Sequence, residues 1–105
     1  MSAKRLVQSA LAQSDVEAAV DYYFREAGAD VARRFIDAIA TAFRTIGSRP
    51  ATGSPRHAHE LNIPGLRSQR LKRFPYLVFY VERADHIYLW RVLHAQRDMA
   101  AWLGE

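Results

Sequence analysis

The chain has 105 residues, of which 50% are hydrophobic and 25% charged, the composition of one globular domain and not of a disordered segment. No apolar run approaches the roughly 20 residues of a membrane span, and no h-region follows Met1-Ser2-Ala3-Lys4-Arg5, so a cytoplasmic chain with no membrane partner is expected, folding as a single domain over 1–105. The absence of cysteine excludes a disulfide scaffold, a thiolate zinc site and a thiol nucleophile, and the net charge of +4 comes from 15 cations against 11 anions.

Lys4 to Ser9, with Leu6 and Val7 at its centre, reads as a first strand. Ser14-Asp15-Val16-Glu17 matches a capping box, and Val16, Ala19, Val20, Tyr23, Phe24 and Ala27 follow at helical spacing. Gly28 can end that helix in a left-handed conformation, and Asp30 can cap the next one. The second helix carries Val31, Phe35, Ile39, Ala42, Phe43 and Ile46 along one stripe, and Gly47 and Pro50 stop it. So short a connection predicts an antiparallel helical hairpin, and alanines such as Ala19 and Ala32 permit close approach.

Residues 48–65 hold three prolines and two glycines and read as an irregular loop. Leu66–Leu71, Tyr76–Arg83 and Ile87–His94 read as strands joined by tight turns, which makes antiparallel pairing the expectation. Tyr76, Val78 and Tyr80 face one way and Leu77, Phe79 and Val81 the other; Ile87, Leu89 and Leu93 alternate with Tyr88, Trp90 and Val92. Apolar residues on both faces mean a sheet covered on both sides, or one face awaiting a partner. Asp98 to Leu103 is a short C-terminal helix carrying Met99 and Trp102. The predicted fold class is therefore α+β: an N-terminal strand and an antiparallel two-helix hairpin packed on a small antiparallel sheet, with a short helix at the end.

Cations concentrate where the strands begin. Between Arg56 and Arg73 there are five (Arg56, Arg67, Arg70, Lys72, Arg73) against the single anion Glu60, which is the footprint of an anionic partner or of a solvated charged face. Thirteen of the 15 cations are arginine, the residue suited to bidentate contacts. His57 and His59 form a His-x-His pair with only Glu60 nearby, which is too few ligands for a metal site, so no metal and no cofactor is expected. Arg91 sits among apolar neighbours and needs an anion; Asp98 is one candidate mate, a partner's chain another. His94, at a strand end, can cap the following helix.

Taken in order, Asp21-Tyr22-Tyr23, Ala32-Arg33-Arg34-Phe35, Pro50 with Gly53, Pro64-Gly65-Leu66-Arg67-Ser68-Gln69-Arg70-Leu71, Phe74-Pro75-Tyr76-Leu77-Val78-Phe79-Tyr80 and Arg91-Val92-Leu93-His94 with Arg97-Asp98 make a pattern. The chain resembles the RelE/ParE superfamily of toxins from bacterial toxin–antitoxin operons, specifically the ParE-like, plasmid-stabilisation branch, over almost its whole length. The resemblance implies a small curled antiparallel sheet with the helical hairpin against it. It implies a growth-inhibiting toxin neutralised by a cognate ParD-like antitoxin whose C-terminal segment wraps it. The pair would form a toxin–antitoxin hetero-oligomer that meets operator DNA only through the antitoxin.

The ParE branch implies inhibition of DNA gyrase by binding, without a catalytic constellation. On that reading Arg67, Arg70, Arg91, His94, Arg97 and Trp102 are the target- or partner-binding residues. The RelE branch implies a ribosome-dependent mRNA endoribonuclease, for which Arg70, Lys72, Arg91 and His94 would be the catalytic set. Strict alternation points Arg91 and His94 to opposite faces, and no Tyr follows His94, so the residues favour the binding reading. An inactive relic that only holds antitoxin is the third possibility.

Overall fold

Strand β1 (Arg5–Gln8) opens the structure, a computed structural model that describes residues 4–103, with the side chains of residues 100, 102 and 103 outside the description. The Ser9 N–H donates to the Leu89 carbonyl at 2.9 Å, the last tie to the sheet, and the chain turns there into helix α1 (Ala10–Ala27). Ser9 is the N-cap: its hydroxyl accepts from the Ala12 N–H at 2.9 Å and donates to the Trp90 carbonyl at 2.6 Å. The expected capping box at Ser14–Glu17 is thus corrected. Ser9 starts the helix because strand pairing ends on it, and Ser14 and Glu17 lie inside the helix.

Gly28, at φ 95°, ends α1 as expected, its N–H donating to the Tyr23 and Phe24 carbonyls at 3.1 Å each. The same glycine also begins helix α2 (Ala29–Ser48), accepting from the Ala32 N–H, so a single residue joins the helices. Asp30 is therefore not the cap. It sits in the first turn of α2, where a carboxylate complements the helix dipole and pairs with Arg33 at 3.0 Å. Ala32, Phe35, Ile39, Ala42 and Ile46 form the buried stripe of α2.

A short 3₁₀ turn (Pro50–Thr52) leads to the loop, then to β2 (Leu66–Arg70), β3 (Tyr76–Glu82), β4 (His86–His94) and helix α3 (Arg97–Leu103). The sheet runs in the order β1-β4-β3-β2. Strands β2, β3 and β4 form the expected antiparallel meander, and β1 joins parallel to β4 with Leu6 beside Ile87, so the four-stranded sheet is mixed.

Register between β3 and β4 shifts at one place: Phe79 pairs with Arg91 but Tyr80 pairs with Leu89, leaving Trp90 as the extra residue of a β-bulge. The bulge corrects the expected alternation of β4. Ile87, Leu89 and Val92 face the helical core with Tyr76, Val78 and Tyr80, while Leu93 joins the opposite core with Phe79 and Val81. That second face is covered. Leu61 and Ile63 from the loop and Met99 from α3 pack on it, so the irregular segment is a structural layer. None of the helices among the described residues is long and apolar enough to cross a membrane.

Candidate functional site

Beyond Leu89, β4 has no β1 alongside it, and the first turns of α1 take that place. Asp15 meets the open edge. Its carboxylate accepts from Arg91 Nε at 2.8 Å, from Arg91 Nη2 at 2.9 Å and from the Val92 N–H at 2.9 Å. Arg91 thus has an anion within the chain: Asp15 bonds it directly, and Asp98, one candidate mate from the sequence, adds a favourable charge. The bulge at Trp90 precedes Arg91, and the helix running along the edge presents Asp15 to it. The hydrogen bonds to Asp15 raise the Arg91 pKa against the opposing effect of burial.

Asp98 serves the next step of the chain. It accepts from the His94 N–H at 2.7 Å and from Arg97 Nε at 3.2 Å. His94 Nδ1 in turn accepts from the backbone N–H groups of Gln96 and Arg97, at 3.2 and 3.0 Å, which caps the start of α3. An imidazole nitrogen that accepts carries no proton, so the neutral ring holds its proton on Nε2. The ring also stands edge-on to Tyr76, with centroids 5.3 Å apart. Arg91, Arg97, Asp15 and Asp98 line one cleft of about 410 Å³ between α1, β4 and α3, with Tyr22 and Tyr76 in its walls. Its guanidinium groups are matched by carboxylates.

Burial pushes the Asp98 carboxyl up, but the His94 N–H and the Arg97 guanidinium outweigh it and hold the group below the ordinary carboxylate range. A folded-state pKa below the unfolded one adds stability above the unfolded value, near 3.9, and that stability is lost as pH falls through the folded value. Acidification below about pH 4 is therefore expected to loosen the β4–α3 joint. Protection of the His94 amide, referred to its intrinsic exchange rate, should fall there more than that of Leu89. An Asp98→Asn variant should lose the pH step; an unchanged profile in the variant would contradict this assignment.

The other sequence-predicted residues go elsewhere. Arg67 Nη1 donates to the Gly53 carbonyl at 2.7 Å. Its neighbour across the strands, Tyr80, donates its hydroxyl to the Pro50 carbonyl at 2.7 Å and accepts from the Gly53 N–H at 3.0 Å. This network clamps the loop start to the sheet, and burial raises the Tyr80 pKa. Arg70 and Lys72 are exposed and line a second groove, of about 420 Å³, between α2 and the β2–β3 turn. The four residues of the ribonuclease reading are thereby divided: Arg70 and Lys72 line one groove, Arg91 the other cleft, and His94 is committed through Nδ1 to the backbone of α3. Trp102 belongs to α3, but its side chain lies outside the described residues.

His57 is buried, bonded through Nδ1 to Glu60 at 3.0 Å and packed near Phe79. Among the described residues no cluster of three His, Cys, Asp or Glu side chains is placed to hold a metal. Sequence reasoning missed Asp15 as the partner of Arg91, and Arg34 as a companion of Arg70. The available signal for Asp15 was a lone carboxylate beside the small residues Ala12 and Ala19 of the buried stripe of α1.

A profile of the family described as the ParE toxin of the type II toxin–antitoxin system parDE matches residues 6–99. Comparison with curated proteins returns no match. Among solved structures, a chain of the chromosomal ParDE toxin–antitoxin system from P. aeruginosa matches with a TM-score of 0.74 and 20% identity, over 89% of this chain and 97% of that one.

Proposed function

The chain belongs to the ParE toxin family of type II toxin–antitoxin systems, and from that premise we propose that it inhibits DNA gyrase by binding and is held inactive by a ParD-like antitoxin in a hetero-oligomer. The observation that carries a binding mode is the pairing of charges at the end of β4. Phosphodiester cleavage without a metal needs cations free to meet the phosphorane-like charge and a group placed to move the 2′-OH proton. Here Arg91 and Arg97 are already engaged by Asp15 and Asp98, and His94 Nδ1 accepts from two backbone N–H groups. A rigid surface of that kind is suited to gripping a macromolecule.

The expected result with purified gyrase and plasmid is more cleaved, enzyme-bound DNA when the chain is added, abolished by prior mixing with the antitoxin. Unchanged supercoiling and cleavage would overturn the reading. Cuts within mRNA codons after induction, lost in Arg70→Ala, would replace it with ribonuclease action.

A further inference from the structure

The cleft at the end of β4 is electrically matched, arginine against aspartate, whereas the surface where α2 meets the β2–β3 turn is not. Arg34 on α2, Arg70 on β2 and Lys72 and Arg73 in the turn border it, with Asp37 as the one anion among its lining residues. All four cations are exposed, and none forms an ion pair among the described residues. The positive charge thus lies along both walls and across the turn between them.

Two local features add to it. Arg73 holds a φ of 68°, a left-handed conformation that glycine would take without cost, yet an arginine stands there. On the opposite wall Thr41 accepts from Arg44 Nη2 at 3.1 Å, which leaves its hydroxyl proton to be donated and brings a fifth cation behind the rim. Arginine, lysine and threonine side chains are the groups that hold phosphate oxygens in nucleic-acid complexes.

We propose that this rim binds the phosphate backbone of the DNA held in the gyrase complex, without reading its sequence. The inference rests on the proposed gyrase inhibition and adds which surface of the toxin meets the nucleic acid. In that complex the cleaved duplex is the dense anionic polymer at hand, with about one charge per 1.7 Å of its axis. Cations spread over two walls and a turn suit such a line of charge, and no base-reading constellation is needed for it. Toxin held to both the enzyme and its DNA would oppose release of the cleaved strands.

The test compares the toxin concentration that gives half-maximal trapping of cleaved plasmid by purified gyrase at several salt concentrations. Arg70→Gln with Lys72→Gln removes two charges from β2 and the turn, and Arg34→Gln removes one from α2, should the first variant not fold by circular dichroism. Arg83→Gln, at the β3–β4 turn, is the remote charge control. At about 50 mM salt the double variant is expected to need about 10-fold more toxin than the parent and Arg34→Gln about threefold, with the control within about twofold. The gap should close towards parity by about 200 mM, because each lost phosphate contact takes about one counterion out of the salt dependence. Affinity for gyrase without DNA, by titration calorimetry, should be the same for variants and parent.

No trapping by the parent chain would overturn the gyrase reading, and this site with it. Trapping by the parent together with parent-like behaviour of the groove variants at every salt concentration would overturn the site alone. A loss that appears equally in DNA-free binding to gyrase would assign the rim to the enzyme's protein surface and overturn the DNA contact. A loss in trapping that does not shrink as salt rises would likewise exclude phosphate as its cause.

Discussion

Replacing Asp15 with alanine is expected to lower the unfolding free energy by about 3 kcal/mol, because it removes one half of a partly buried ion pair and an edge acceptor at once. The side chains of Arg91 and Asp15 are 21% and 14% exposed, so water screens the pair only in part. Val92, 1% exposed, would lose the acceptor of its N–H, a cost an apolar side chain cannot offset. For a domain of this size the melting temperature should fall by about 15 °C, read by thermal circular dichroism. Asp15→Asn keeps an oxygen for Val92 and gives up the charge, so it should fall between parent and alanine variant. Converting the whole pair, Asp15→Leu with Arg91→Met, should recover only the ion-pair share of the loss, since it spares a buried charge but leaves the Val92 N–H without its acceptor. A melting temperature within about 3 °C of the parent in Asp15→Ala would show that the contact does not hold α1 to the sheet edge.

Gly53→Ala is expected to cost about 2 to 3 kcal/mol, for a reason unrelated to backbone freedom. Gly53 has φ −67° and ψ 155°, an extended conformation open to any residue. The obstacle is space. A Cβ there would overlap the hydroxyl of Tyr80 and stand 2.9 Å from the Ser68 carbonyl oxygen, which is backbone of the sheet. Tyr80 is fully buried and cannot swing aside, so the loop must lift, taking with it the bonds from Tyr80 to Pro50 and from Arg67 to Gly53. Tyr80→Phe removes the obstructing hydroxyl. In the Gly53→Ala background it should cost less than it does alone, and denaturant midpoints for the four-member cycle measure that coupling. Additive losses would mean that the two residues do not compete for the same space.

Most of the architecture was legible because periodicity is a local signal. The stripe of α2, from Phe35 to Ile46, and the two faces of β3 follow from spacing alone, and the tight turns between strands dictate an antiparallel meander. What escaped depends on residues far apart in the chain. Ser9 caps α1 only because its neighbour ends a strand paired with Leu89, and a local rule favoured Ser14, where hydroxyl and carboxylate stand at the right interval. The parallel placement of β1 beside β4 leaves no mark in either segment. The bulge at Trp90 shifts the phase of every later residue of β4, and nothing in Leu89-Trp90-Arg91 announces it.

The site was legible by composition more than by arrangement. Arginines were singled out as candidate contacts, but which of those at the end of β4 are paired within the chain is decided by Asp15 and Asp98. Asp15 lies 76 residues from Arg91. His94 was read either as a contact or as a cap, and the direction of two backbone N–H groups, not its residue type, gives it the capping role.

The pairing of β1 with β4 also governs when the molecule can come into being. Arg5 finds its neighbour at His86, so the sheet cannot be completed until nearly the whole chain has left the ribosome. Until then the helical hairpin is present without the surface it packs on, and the apolar stripe of α2 stays open to water. A chain still in synthesis therefore lacks its finished sheet, because β1 has no strand to pair with before His86–Leu89 emerge.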